Sequence, residues 1–180
     1  MKNIFIGLVF ILLNFNLNLG GMQIDLLPNF VGYLLMMKGI DELIKESEFF
    51  DKVRPWAVFM ACYSGVIFIL DLLGISSQLQ GFSIILGIIN ISITLYILYQ
   101  IVSGVMDIEK KYGIFLDGDK LKDLWKFMSI FNVIIYFLMF FTTLAVVLMI
   151  ITIITYIIFL ITFNNSKNLY YNERDKFFHS

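Results

Sequence analysis

Histidine and cysteine are nearly missing from this chain of 180 residues, which holds His179 and Cys62 and no others. A lone cysteine forms no disulfide framework and no Cys-based zinc site. With one histidine next to the C-terminus, the usual couples of hydrolytic and metal chemistry are lacking. There is no G-x-S-x-G, no H-E-x-x-H and no P-loop. Charge is scarce as well. Charged residues make up 15% of the chain, where a soluble domain keeps roughly a quarter. The net charge of −1 gives no attraction to nucleic acid, and no basic stripe interleaves with aromatics. Proline occurs twice, so long helices meet few breakers.

What is present in excess is hydrophobic surface: 59% of residues are hydrophobic and 17% aromatic, with mean hydropathy +0.86. Such a chain cannot cover itself with polar side chains, and lipid is its natural solvent. The 13 Lys and Arg residues fall into four groups. These are Lys2; Lys38, Lys45, Lys52 and Arg54; Lys110, Lys111, Lys120, Lys122 and Lys126; and Lys167, Arg174 and Lys176. The connections near 20–27, 75–80 and 142–143 hold none. Cationic residues flanking membrane segments stay on the cytoplasmic side. The pattern therefore predicts an all-α, polytopic membrane helical bundle of six transmembrane helices, N-in and C-in.

The expected helices cover about 3–19, 28–46, 55–73, 82–106, 121–141 and 144–163. They form a single transmembrane domain over 1–163, followed by a cytoplasmic tail, 164–180. Residues 107–120 read as a longer cytoplasmic loop. Lys2 and the apolar run Ile4 to Leu13 imitate a secretion signal, but Asn16-Leu17-Asn18-Leu19-Gly20-Gly21 lacks an A-x-A-like cleavage pattern. The first segment is expected to stay uncleaved.

Three groups of polar residues are candidates for function. Asn14, Asn18, Asp25, Asn29 and Asp71 collect toward the outer half as a polar cluster. Asp25 is placed to cap the second helix, and Asn14 and Asn18, four apart on a helix, would reach Asp71. An ionisable group such as Asp71 in an apolar run costs several kcal/mol unless partnered or wetted. The cluster reads either as an outward-facing site for a cation or polar solute or as an interhelical clamp. Lys38 is an intramembrane charge that snorkels to the cytosolic headgroups or pairs with a buried acid. Asn90 and Asn132, at similar depth, line a polar path with Gln100 and Tyr136 or hold helices together. Gly32 and Gly39 share a helical face that admits a close neighbour, and Ala57, Ala61 and Gly65 form a small-residue ridge. Asp117-Gly118-Asp119 reads as a turn and helix cap, not a calcium loop.

The stretch Asp25-Leu26-Leu27-Pro28-Asn29-Phe30-Val31-Gly32-Tyr33-Leu34-Leu35 resembles the D-x-x-P-[DN]-F-[IV]-G-Y-[IL]-L signature of small, uncharacterised multi-pass membrane proteins of low-GC Gram-positive bacteria. The likeness covers about residues 22–45 and implies a membrane architecture without an activity. Six crossings with an outward polar cluster are also similar to the substrate-capture S components of energy-coupling-factor vitamin transporters. In those the Ala-x-x-x-Ala coupling face lies on the first helix, whereas Ala57 and Ala61 are on the third. The expected function is that of a non-enzymatic integral membrane protein. It would act through the bilayer and other membrane proteins, with no catalytic residue, no cofactor and no metal. The alternative is a small-solute transporter or substrate-binding subunit, and a membrane enzyme ranks last.

Overall fold

The computed structural model describes residues 1–13, 16–19, 22–25, 28–74, 83–138 and 142–178. Among them are six helices and one small antiparallel ribbon: α1 (Lys2–Leu12), β1 (Asn16–Leu19), β2 (Met22–Asp25), α2 (Asn29–Leu43), α3 (Glu48–Leu72), α4 (Ser83–Tyr112), α5 (Gly118–Phe137) and α6 (Thr142–Phe178). The chain forms two compact units, Met1–Ile97 and Leu98–Ser180, divided within α4.

In the first unit, α1 and α2 lie antiparallel, backbone almost on backbone. A Cβ added to Gly7 would stand 2.5 Å from the Gly32 carbonyl oxygen, and one on Gly39 would stand 2.6 Å from the Ile4 nitrogen. Small residues allow such approach, and in lipid this van der Waals contact is a main source of helix association. The shared face of Gly32 and Gly39 is thus occupied by α1. On its other side α2 meets α3, where Phe30 sits 3.8 Å from the Cβ position of Gly65 and its ring lies 5.4 Å from that of Phe68. Ala57 and Ala61 are buried on the same helix, as the small-residue ridge predicts.

Several elements depart from the expected bounds. The first helix was placed over 3–19 but ends at Leu12, and Asn16–Leu19 is a strand paired with Met22–Asp25. The reason is legible afterwards. Asn-Leu-Asn-Leu and Met-Gln-Ile-Asp alternate with period two around Gly20-Gly21, a hairpin pattern. The architecture is helical as expected, with this two-stranded ribbon added between α1 and α2. The third helix begins at Glu48, not Pro55, because Ser47 caps it by accepting from the Phe49 N–H (3.4 Å), and Glu48 and Asp51 favour its first turn.

The loop expected at 107–120 shrinks to residues 113–117, and the tail beyond 163 continues α6 to Phe178. Thr142 and Thr143 open α6 instead of forming the turn before it.

Among the described residues, three helices are long and apolar enough to cross a membrane: Glu48–Leu72, Ile84–Tyr112 and Thr143–Arg174. The other three expected spans are shorter or more polar. The 11 residues of α1 rise about 16 Å, α2 has 15 residues, and α5 carries Lys120, Lys122, Asp123 and Lys126 in its first half. Large apolar side chains stand exposed along the spans, among them Phe59, Val66 and Ile69 on α3 and Ile150, Ile154 and Ile161 on α6. A contiguous exposed apolar surface of this size marks lipid or protein contact.

Hydroxyl groups within these helices bond their own backbone one turn back. Ser64 donates to Met60 O (2.5 Å), Thr152 to Leu148 O (2.8 Å), Thr155 to Ile151 O (2.8 Å) and Thr162 to Ile158 O (2.9 Å). That satisfies a polar group without water, as a hydrocarbon environment requires.

Candidate functional site

Two candidate residues, Asn29 on α2 and Asn90 on α4, stand one turn before the residues that join these helices, Tyr33 and Thr94. α2 is antiparallel to α3, since Asp41 pairs with Arg54 (3.5 Å) at one end and Phe30 meets Phe68 at the other. α3 is antiparallel to α4 by the same test, with Trp56 on Tyr96 (5.6 Å) and Tyr63 donating to Leu86 O (3.5 Å). So α2 and α4 run the same way.

They are joined by the Tyr33 hydroxyl and Thr94 Oγ1, 3.0 Å apart and buried. Thr94 gives its one hydroxyl proton to the Asn90 carbonyl at 2.9 Å, which makes Tyr33 the donor. One turn back on each helix stand Asn29 and Asn90, on the faces of Tyr33 and Thr94 respectively. Asn29 Oδ1 is buried without a hydrogen-bond partner, whereas Asn90 Oδ1 lies 3.5 Å from Thr94 Oγ1. An unmet acceptor away from water costs about 1–3 kcal/mol, so the Asn29 carboxamide is the polar feature of this unit most in need of an occupant or an explanation.

The remaining candidates are distributed as follows. Asn14 lies outside the described residues. Asn18 and Asp25 lie in the ribbon, where Asn18 pairs with Gln23 and Asp25 with Asn16. Asp25 does not hold the N-cap position of α2, which is Pro28. Asn18 is not helical, so the i,i+4 approach of Asn14 and Asn18 to Asp71 is withdrawn. Asp71 sits in the last turn of α3, where its carbonyl accepts from Gly74 N (3.0 Å). β2 packs beside α3.

Lys38 is exposed and next to Gly39, which touches Asn3 and Ile4 at the start of α1. It therefore stands near the charged end of the unit, and no ion pair ties it to a buried acid among the described residues.

Asn132 is engaged within the second unit. Its amide nitrogen donates to Met128 O (2.7 Å) and lies 2.9 Å from the Tyr156 hydroxyl, while Tyr156 lies 3.1 Å from Asn132 Oδ1. This ties α5 to α6. Gln100 is buried with its Oε1 unpartnered.

Glu109 is the residue that sequence reasoning missed. Its Oε1 accepts from the N–H groups of Leu116 and Gly118 (the latter at 3.1 Å), closing the α4–α5 turn and capping α5. Asp117, expected to cap, occupies the N-cap position with φ 59 and makes no side-chain cap bond. A Glu seven to nine residues before a helix start carries no local signature, whereas Tyr33 and Thr94 had one: a buried hydroxyl needs a partner.

The charges are sorted by end. In the first unit, Asn3 donates to Glu42 (3.0 Å) and Arg54 pairs with Asp41, gathering the start of α1, the end of α2 and the start of α3. In the second, Lys110 and Lys111 end α4, Lys120 and Lys122 begin α5, and Lys167 and Arg174 lie in the last turns of α6. No protein family, no curated protein and no solved structure matches the chain.

Proposed function

We propose that this protein is a multi-pass plasma-membrane protein that works by association with other membrane proteins and not by catalysis. All six apolar segments are embedded, with the N- and C-termini on the cytoplasmic side. The observation that carries this reading is the gathering of basic residues at one end of each unit, opposite halves that expose large apolar side chains. In this arrangement α1 and α2 enter as a glycine-packed hairpin. The β1–β2 ribbon continues it toward the outer headgroups, where water satisfies the ribbon's free edges.

Association is favoured because Tyr33, Thr94, Asn132 and Tyr156 serve helix–helix bonds and Ser64, Thr152, Thr155 and Thr162 bond their own backbone, and because the sequence carries no paired catalytic His or Cys. Replacement of Asp25 and Asp71 by Ala is expected to leave the cellular phenotype of a deletion strain complemented. Changes in 107–120 are expected to abolish it. The reverse outcome would reject the reading.

One observation favours a second reading, a solute-binding membrane subunit: the unmet, buried Asn29 carboxamide oxygen. The group on offer is an amide oxygen, so the solute would be a hydrogen-bond donor. If the purified protein retains no small molecule and shows no thermal shift across a panel of vitamins and metal ions, this second reading fails.

A further inference from the structure

The charged end of the second unit is a folded body, not a pair of loops. On α5 the exposed residues are charged up to Lys126 and apolar from Phe127. On α6 they are apolar up to Ile161, and the polar run begins at Asn164. The boundary with lipid lies at that level. Beyond it Val105, Ile108, Leu116, Leu121, Ser166 and Tyr170 are all buried. A buried stripe inside a polar exterior is what water demands of a helix bundle. Gly118 to Trp125 alone reach about 12 Å past the boundary.

The tip of this body is stiff. Gly113 (φ 63) ends α4, Ile114 N donates back to Glu109 O (3.2 Å), and the Glu109 carboxylate holds the far side of the turn. The rigid turn presents Phe115, 71% exposed, beside an open depression of about 720 Å³ whose lining includes Met106 and Ile114. Besides Glu109, four charged residues line the depression: Lys110, Lys120, Asp117 and Asp119. Among the described residues none of the four forms an ion pair. Glu109 is already engaged by backbone N–H groups.

A surface with two unpaired cations, two unpaired anions and one projecting aromatic ring complements itself. We propose that the occupant is a second copy of this chain. The two tips meet across a twofold axis, each Phe115 entering the other's depression and each lysine pair facing the other's aspartates. Isologous contacts of this kind close after two copies. The inference deepens the association reading, on which it rests, by naming the partner.

The test uses the full chain carrying Cys62→Ser, in nanodiscs, weighed by mass photometry. The wild-type surface should give two copies per disc, and Phe115→Cys should form a disulfide-linked dimer on mild oxidation. Phe115→Asp should give one copy. Lys110→Asp with Lys120→Asp, and separately Asp119→Lys with Asp117→Asn, should each weaken self-association at least about tenfold, because like charges then face each other. Asn is chosen at 117 since it tolerates positive φ. Mixing the two charge variants should restore dimers, which misfolded proteins cannot do. A monomeric wild type, dimers insensitive to Phe115→Asp, or a mixture that stays monomeric would each overturn the proposal. Binding of Phe115 to lipid or to another protein would show as a single copy per disc and count against it. Extraction of the chain without detergent would instead overturn the membrane reading, so the two failures are distinguishable.

Discussion

The two units reach stability by opposite routes. In Met1–Ile97 the closest contact is backbone on backbone, made possible by the absence of side chains at Gly7, Gly32 and Gly39. In Leu98–Ser180 the contacts between helices are made by side chains present: Asn132 with Tyr156, Tyr99 against Trp125 (5.0 Å), and Glu109 across the turn. The first route is specific because nothing larger fits. The second is specific because polar groups in an apolar medium must find partners. A substitution that adds atoms should therefore harm the first unit most. One that deletes polar atoms should cost less than that in either unit.

The largest effect is expected from Gly32→Val. The new Cβ alone would lie 2.8 Å from the Gly7 carbonyl oxygen, and the helices must separate, at a cost of about 3 kcal/mol. Steric-trapping or denaturant unfolding in bicelles measures it; a loss below that from deleting a polar pair would remove the contrast between the units. Next is Gly118→Ala, whose methyl group collides with the Glu109 carboxylate and with Met106 Cγ (2.8 Å). Loss of that cap should cost about 1–2 kcal/mol, and Glu109→Ala should mask the effect, since the obstacle is then gone. Equal effects in both backgrounds would mean that Glu109 is not the cap.

Tyr33→Phe should cost about 0.6–2 kcal/mol through the bond to Thr94, and Thr94→Val should add little to it. Independent, additive losses would show that the two hydroxyls do not act together. The smallest expected effect is the coupling of Asn132 and Tyr156, about 0.6 kcal/mol in a double-mutant cycle. Zero coupling would leave α5 and α6 held by apolar contact alone.

Much of this was legible in the sequence. The basic groups located the charged ends, and the glycines seven apart announced a close helix neighbour. Ala57, Ala61 and Gly65 announced the α3 face, and Asn132 appeared as an interhelical amide. The failures have physical causes. The first helix was overextended because hydrophobicity averaged over a window hides a period of two, which Asn16–Leu19 and Met22–Asp25 carry. The length of α6 was underestimated because its last turns are polar outside, while Ser166 and Tyr170 are buried inside. A membrane reading equates polar with loop, and a helix leaving the membrane breaks that equation. Glu109 was invisible because its partners are backbone groups across a turn, and nothing in residue type marks them.

The central claim, that lipid surrounds these helices with the basic ends on the cytoplasmic side, is tested most directly by two-sided cysteine labelling of intact cells in the Cys62→Ser background. Gln78→Cys should react with an impermeant maleimide added outside, whereas Phe115→Cys and Asn168→Cys should react only after the membrane is opened. Labelling of position 115 or 168 from outside, or of 78 only from within, would contradict the account.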